Sequence, residues 1–125
     1  MKRVWHRRLR RKAINGVIRS YARLGEYVAE MRAARKKVEV LRDVTYGPNP
    51  YNKLDIYRPH FSPRPLKVLL YIHGGGFMLC SKETHRGIAL TSAARSNYLV
   101  FNIDYRLAPH FQFPGAHEDA CRAYA

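Results

Sequence analysis

The chain has 125 residues, 46% of them hydrophobic, with 23 Lys or Arg against 9 Asp or Glu and a formal net charge of +14. That length suits one small globular domain but only about half of a large α/β sheet domain, and no apolar run approaches the roughly 20 residues a membrane-spanning helix needs. Two cysteines, Cys80 and Cys121, are too few for a disulfide framework and have no metal-ligand spacing, so a reducing, cytoplasmic setting is the expectation.

The positive charge is concentrated at the start. Residues 1–42 hold 14 Lys or Arg against 3 Glu, a net of +11, and the remaining residues carry only +3. Within this arm Ile14, Val17, Ile18, Tyr21, Leu24, Val28 and Met31 recur at three- and four-residue steps, which predicts an amphipathic helix with breaks at Asn15-Gly16 or Gly25. Its apolar stripe can pack on the body of the protein. It can also lie on an anionic membrane surface as a peripheral anchor, for which Trp5, Leu9 and the cations Arg7, Arg8, Arg10, Arg11 and Lys12 are suited. Nucleic-acid binding is the least supported use, because no recognition motif or aromatic–basic interleaving accompanies the charge. Arg19 and Arg23 interrupt the apolar core that a signal peptide requires, while the acid-free, Arg-rich start before Glu26 loosely resembles an organelle transit sequence.

Past the arm, residues 38–45 and 54–57 read as two antiparallel strands joined by the turn Gly47-Pro48-Asn49-Pro50. Pro59, Pro63 and Pro65 mark the next loop. Residues 68–72 form a continuous apolar run, the pattern of a strand covered on both faces, and residues 99–103 repeat it. A helix over residues 83–95, burying Ile88, Leu90, Ala93 and Ala94, has the length of a right-handed crossover that sets the two runs parallel. A last helix is expected to begin near Pro114, whose fixed φ suits a first helical turn.

Between the first apolar run and the crossover helix lies His73-Gly74-Gly75-Gly76-Phe77. Glycines at a strand end permit positive φ and leave backbone N–H groups open to an anion. Alone, the triplet fits an oxyanion hole, a flexible turn or a phosphate-binding loop, although the Gly-x-Gly-x-x-Gly and Gly-Lys-Ser/Thr patterns of nucleotide sites are missing.

About thirty residues later come Asn102-Ile103-Asp104-Tyr105-Arg106-Leu107-Ala108-Pro109 and then Phe113-Pro114-Gly115-Ala116-His117-Glu118-Asp119-Ala120. Strand, His-Gly-Gly-Gly, helix, strand, Asp-Tyr-Arg-Leu-Ala-Pro, Phe-Pro and a helix with Glu-Asp-Ala together resemble the N-terminal part of a hormone-sensitive-lipase-like esterase or lipase. The resemblance covers residues 44–125 and implies an α/β-hydrolase fold, with a mostly parallel sheet, an antiparallel start and the basic helical arm in front, the arm contributing to a lid. It also implies a carboxylic-ester hydrolase using a Ser-His-Asp triad. His110 departs from the glutamate that usually follows Ala-Pro in this family.

The resemblance assigns Gly75 and Gly76 as oxyanion-hole donors and His73 with Gly74 as residues that orient the loop. Asp104 and Arg106 are expected to form a buried ion pair supporting the following loop, and Phe77 and Tyr105 either to line the acyl or alcohol pocket or to be core residues. None of the triad is present. Ser20, Ser62, Ser81, Ser92 and Ser96 all lack the Gly-x-Ser-x-Gly setting of an activated nucleophile. The expected organisation is therefore residues 1–42 as the arm and 43–125 as a partial hydrolase domain ending before the nucleophile elbow, inactive by itself. No cofactor or metal is expected, and His6, His60, His85 and His117 read as surface or loop residues. The alternative is a non-catalytic interaction module whose basic arm binds an anionic membrane or partner and whose open sheet a partner closes.

Overall fold

The structure, a computed structural model, describes residues 24–61 and 64–125. The expectations for Trp5, for the cationic run and for the stripe up to Tyr21 lie outside these residues, as does Ser62. The chain divides into two compact units, Met1–Ala33 and Ala34–Ala125. Residues 24–35 form helix α1, which runs through Gly25 without a break. Leu24, Tyr27 and Val28 on it are exposed.

In the second unit the elements follow as β1 (Val38–Thr45), β2 (Lys53–Pro59), β3 (Val68–Ile72), α2 (Arg86–Ser96), β4 (Leu99–Ile103) and α3 (Gly115–Tyr124). They build one four-stranded sheet in the order β1-β2-β4-β3. The β1–β2 and β2–β4 pairs are antiparallel, and β3 runs parallel to β4 from Val68↔Leu99 to Ile72↔Ile103. The β1–β2 turn closes with the Tyr46 N–H on the Asn52 carbonyl at 3.1 Å, while the Asn52 side chain accepts from the Asn49 N–H at 3.1 Å. Register shifts between Leu41 and Val44, where Asp43 takes a left-handed φ of 56°. Such a bulge re-aims side chains, and here it is Asp43 that turns toward the body.

The two apolar runs differ in burial. Val100, Asn102 and Ile103 of β4 are fully buried, but Val68 and Ile72 of β3 are 59% and 46% exposed. β4 is thus covered as expected, while within these residues β3 pairs only with β4 and leaves Val68 and Ile72 exposed. α2 buries Leu90 and Ala93 as its stripe predicts, and Ala89 as well, whereas Ala94 is half-buried and Ile88 faces outward at 48% exposure. The helix begins at Arg86, three residues late, because Thr84 Oγ1 bonds back to the Ser81 carbonyl (2.8 Å) and accepts from the Ser81 N–H (3.0 Å). This side-chain turn competes with a helical start. Its end is set by Asn97, left-handed at φ 58°, whose N–H bonds the Ala93 carbonyl. Leu54, Ile103 and Tyr105 form the buried cluster beneath the ends of the central strands.

Candidate active site

The parallel pairing of β3 with β4 brings two loops out side by side, His73 onward from one strand and Asp104 onward from the other. In the first, Gly75 has φ +117° and Gly76 φ +62°, followed by Phe77 at +61° and Cys80 at +76°. A Cβ on Gly75 would stand 2.2 Å from the Leu79 carbonyl oxygen, so no side chain fits there. Gly76 has open space and requires glycine only for its φ, while Gly74 meets neither constraint. The Gly75 carbonyl accepts from the Met78 and Leu79 N–H groups at 3.2 and 3.1 Å, and Phe77 is tied down by the Ala108 N–H on its carbonyl at 2.8 Å. Among the described residues, the amides of Gly75 and Gly76 donate to no main-chain acceptor. A left-handed Phe77 costs roughly 1–2 kcal/mol, strain of the kind that clusters at functional sites.

His73 is 2% exposed. Its Nδ1 lies 2.9 Å from the Gly74 carbonyl, and its ring is stacked between Tyr105 (centroids 4.4 Å) and His85 (5.7 Å). Nε2 faces Asp104 Oδ1 at 3.7 Å, too long for a hydrogen bond. Asp104 Oδ1 instead accepts the Lys82 N–H at 2.6 Å. Burial raises the Asp104 carboxyl above its usual range, against the lowering effect of that backbone bond.

The ion pair expected between Asp104 and Arg106 does not form. Arg106 reaches α3, donating from Nε to Asp119 Oδ2 and from a terminal nitrogen to Oδ1, both at 2.9 Å, and its backbone N–H also binds Oδ2 at 2.9 Å. A second carboxylate, Glu118, lies 2.9 Å away. The physical reason is that one buried carboxylate satisfies the guanidinium fork and an otherwise unpaired amide together, which Asp104, committed to Lys82, cannot do. Burial tends to raise the Asp119 carboxyl, but the bonds from Arg106 outweigh it and hold it low. The Glu-Asp-Ala part of the motif is therefore what locks Arg106.

A second polar cluster was not read from the sequence. Lys82 is 2% exposed, and its Nζ contacts Asp43 (2.8 Å), Asp55 (3.1 Å) and Glu83 (2.5 Å). The fully buried Asp55 also accepts the Asp43 N–H and faces Arg86 at 3.7 Å. Burial pushes the Glu83 carboxyl up, but its bonds to Lys82 and Ser81 prevail and bring it to about 2. With the Asn102 amide donating to the Lys82 carbonyl at 2.8 Å, this cluster fastens the segment after the glycine loop to β4 and β1. The available signal was Asp55, a carboxylate inside the apolar strand Leu54-Asp55-Ile56-Tyr57, which demands a buried cation.

Phe77 and Tyr105 border different hollows. Phe77, with Phe111, Phe113, Pro114 and Ala116, lines an apolar cavity of about 290 Å3. Tyr105, 4% exposed, is a core residue at the floor of a wider one of about 440 Å3 shared with Met78, Cys80, Ser81 and Asp104. Cys80 and Cys121 are free and exposed. Among the described residues no three His, Cys, Asp or Glu side chains cluster as metal ligands, and no helix is long and apolar enough to cross a membrane.

Residues 69–125 match the family model for the alpha/beta hydrolase fold. Esterase LipI of Mycobacterium tuberculosis is 41% identical over 70 residues, 54% of this chain and 22% of that protein. Hormone-sensitive lipase of Mus musculus is 39% identical over 67 residues, 54% of this chain and 9% of that protein. In the solved structures, esterase LipW from Mycobacterium marinum superposes with a TM-score of 0.62 at 33% identity, covering 83% of this chain and 32% of that one. The bacterial heroin esterase gives 0.57 at 31% identity, covering 69% and 27%. The chain thus spans less than a third of the length of these proteins. Its strand order, its glycine loop and these comparisons agree: over residues 69–125 the chain matches the alpha/beta hydrolase fold, and it is similar to hormone-sensitive-lipase-like esterases and lipases.

Proposed function

We propose that the chain supplies the oxyanion-hole part of a carboxylic-ester hydrolase acting by serine-nucleophile acyl transfer. The observation that carries this reading is the turn at Gly75 and Gly76, closed by bonds to the Gly75 carbonyl while the two glycine amides keep their donors free of main-chain partners. When a nucleophile adds to an ester carbonyl, negative charge develops on oxygen, and fixed N–H donors stabilise that charge more than they stabilise the neutral ester. Gly75 excludes any side chain that would block the approach. His73 and Gly74 hold the loop's orientation through the Nδ1 contact. The apolar hollow beside Phe77 receives a hydrocarbon part of the ester. The nucleophile is not among these 125 residues, since no serine stands in a Gly-x-Ser-x-Gly setting.

The 125-residue chain, expressed alone, should turn over short-chain nitrophenyl esters no faster than free histidine. The complete gene product should turn them over with burst kinetics and be inactivated by an organophosphorus ester. A complete product with no such activity removes the proposal.

The charge of residues 1–42 favours a second role for the arm, alongside or instead of lid formation: binding to an anionic membrane surface. Sedimentation with phosphatidylserine vesicles, lost with neutral vesicles and in 0.5 M salt as screening predicts, would support it; equal recovery on both vesicle types would exclude it.

A further inference from the structure

The β3 ladder ends at Ile72, so the carbonyl of His73, the residue that opens the glycine loop, has no strand partner. It accepts instead from the hydroxyl of Tyr105 at 2.5 Å. The same side chain stacks its ring on the His73 imidazole, with planes 18° apart and centroids at 4.4 Å, and meets the edge of Phe77 at 6.3 Å. Tyr105 thus touches both ends of the segment His73–Phe77 from below. It is itself immobilised, 4% exposed and packed with Leu54 and Ile103.

We propose that Tyr105 is a positioning residue for the oxyanion loop, its hydroxyl fixing the His73 carbonyl and thereby the direction of the Gly75 and Gly76 amides. The inference rests on the ester-hydrolase reading above and goes beyond it by assigning a role to a tyrosine expected only to line a pocket or sit in the core. Rotating the His73 peptide re-aims the groups that follow it, whose other anchors are the Gly75 carbonyl, held by the Met78 and Leu79 N–H groups, and the Phe77 carbonyl, held by the Ala108 N–H. A donor displaced by a fraction of an ångström loses more in the transition state than in the ground state, because the oxyanion, not the ester carbonyl, is what it is aimed at. The hydroxyl is suited to this work by its immobility: it reaches the carbonyl from a ring already clamped on the face of His73.

The test is Tyr105→Phe in the complete gene product, a change that keeps the stacked ring and removes only the donor. Rates are expressed per active site titrated with an organophosphorus ester, so that any unfolded fraction drops out of the comparison. The expected result is a fall in kcat of about tenfold or more with KM within about twofold, and a parallel fall in the rate of organophosphorus inactivation, which passes through a similar tetrahedral geometry. A kcat per site within about twofold of wild type overturns the positioning role, and so does a loss confined to KM. If Tyr105→Phe folds poorly, the same per-site rates measured below its unfolding transition decide the matter. A wild-type product inert toward esters defeats the underlying hydrolase reading instead, an outcome visible before any variant is made.

Discussion

The exits of β3 and β4 stand next to each other in the sheet and are built on opposite principles. After β3 the chain gives up side chains: Gly74, Gly75 and Gly76 precede the exposed Phe77, Met78 and Leu79, and four of the residues 75–80 have positive φ. After β4 it does the reverse, since Asp104 and Tyr105 commit their side chains to Lys82 and His73 in the loop after β3, and Arg106 to Asp119 on α3. The first exit offers backbone; the second holds it in place. Bare peptide can be aimed at a ligand only if something else absorbs its conformational freedom, and the neighbouring strand end is the nearest rigid platform.

Breaking the second exit should have the largest effect. Asp119→Ala leaves the Arg106 guanidinium and its backbone amide without their shared acceptor, and is expected to destabilise the fold by about 3–5 kcal/mol, read from urea denaturation. In the first exit, Gly75→Ala places a methyl 2.2 Å from the Leu79 carbonyl oxygen. The expected loss in kcat of the complete gene product is about 10²–10³-fold, the scale of a lost oxyanion donor. Gly76→Ala meets open space and carries only the left-handed penalty of about 1–2 kcal/mol, so its fall in kcat should be clearly smaller. Equal effects at Gly75 and Gly76 would contradict this ranking.

Smaller again is an acid effect. The Glu83 carboxyl, depressed from 4.5 to about 2 in the folded protein, contributes stability that is complete above about pH 4.5 and is lost as pH falls toward 2. Asp43 and Asp119, also held low, act in the same direction. The urea midpoint of Glu83→Gln should therefore fall less than that of wild type between pH 6 and pH 3. Smallest of all is Gly74→Ala, with no neighbour within 4 Å of the added methyl, expected within about 0.5 kcal/mol of wild type by thermal melt.

Local patterns carried the strand positions well. The apolar runs, the Gly-Pro-Asn-Pro turn and the helix beginning after Pro114 are short-range signals, set by turn chemistry and side-chain periodicity within a few residues. The pairing of Asp104 with Arg106 failed for a different reason. Two charges close in sequence were assigned to each other, whereas Asp119, thirteen residues beyond Arg106, offers two oxygens on a helix turned toward it. Lys82 escaped for the same reason: nothing near it marks a buried cation, because its carboxylates Asp43 and Asp55 come from β1 and β2, 39 and 27 residues earlier. Tyr105 was recognisable as part of a motif but not as the partner of the His73 carbonyl, since that bond exists only once β3 and β4 lie in register.

The amino-acid sequence by itself determined the elements, the parallel crossover and the glycine-rich strand exit, because each depends on backbone preference and on apolar spacing that neighbouring residues already define. Tertiary structure alone decided which carboxylate took each cation, and that only Gly75 among the three glycines is barred from any side chain. Those outcomes are set by what arrives from distant parts of the chain, where burial makes an unpaired charge or a misplaced methyl costly enough to select one arrangement.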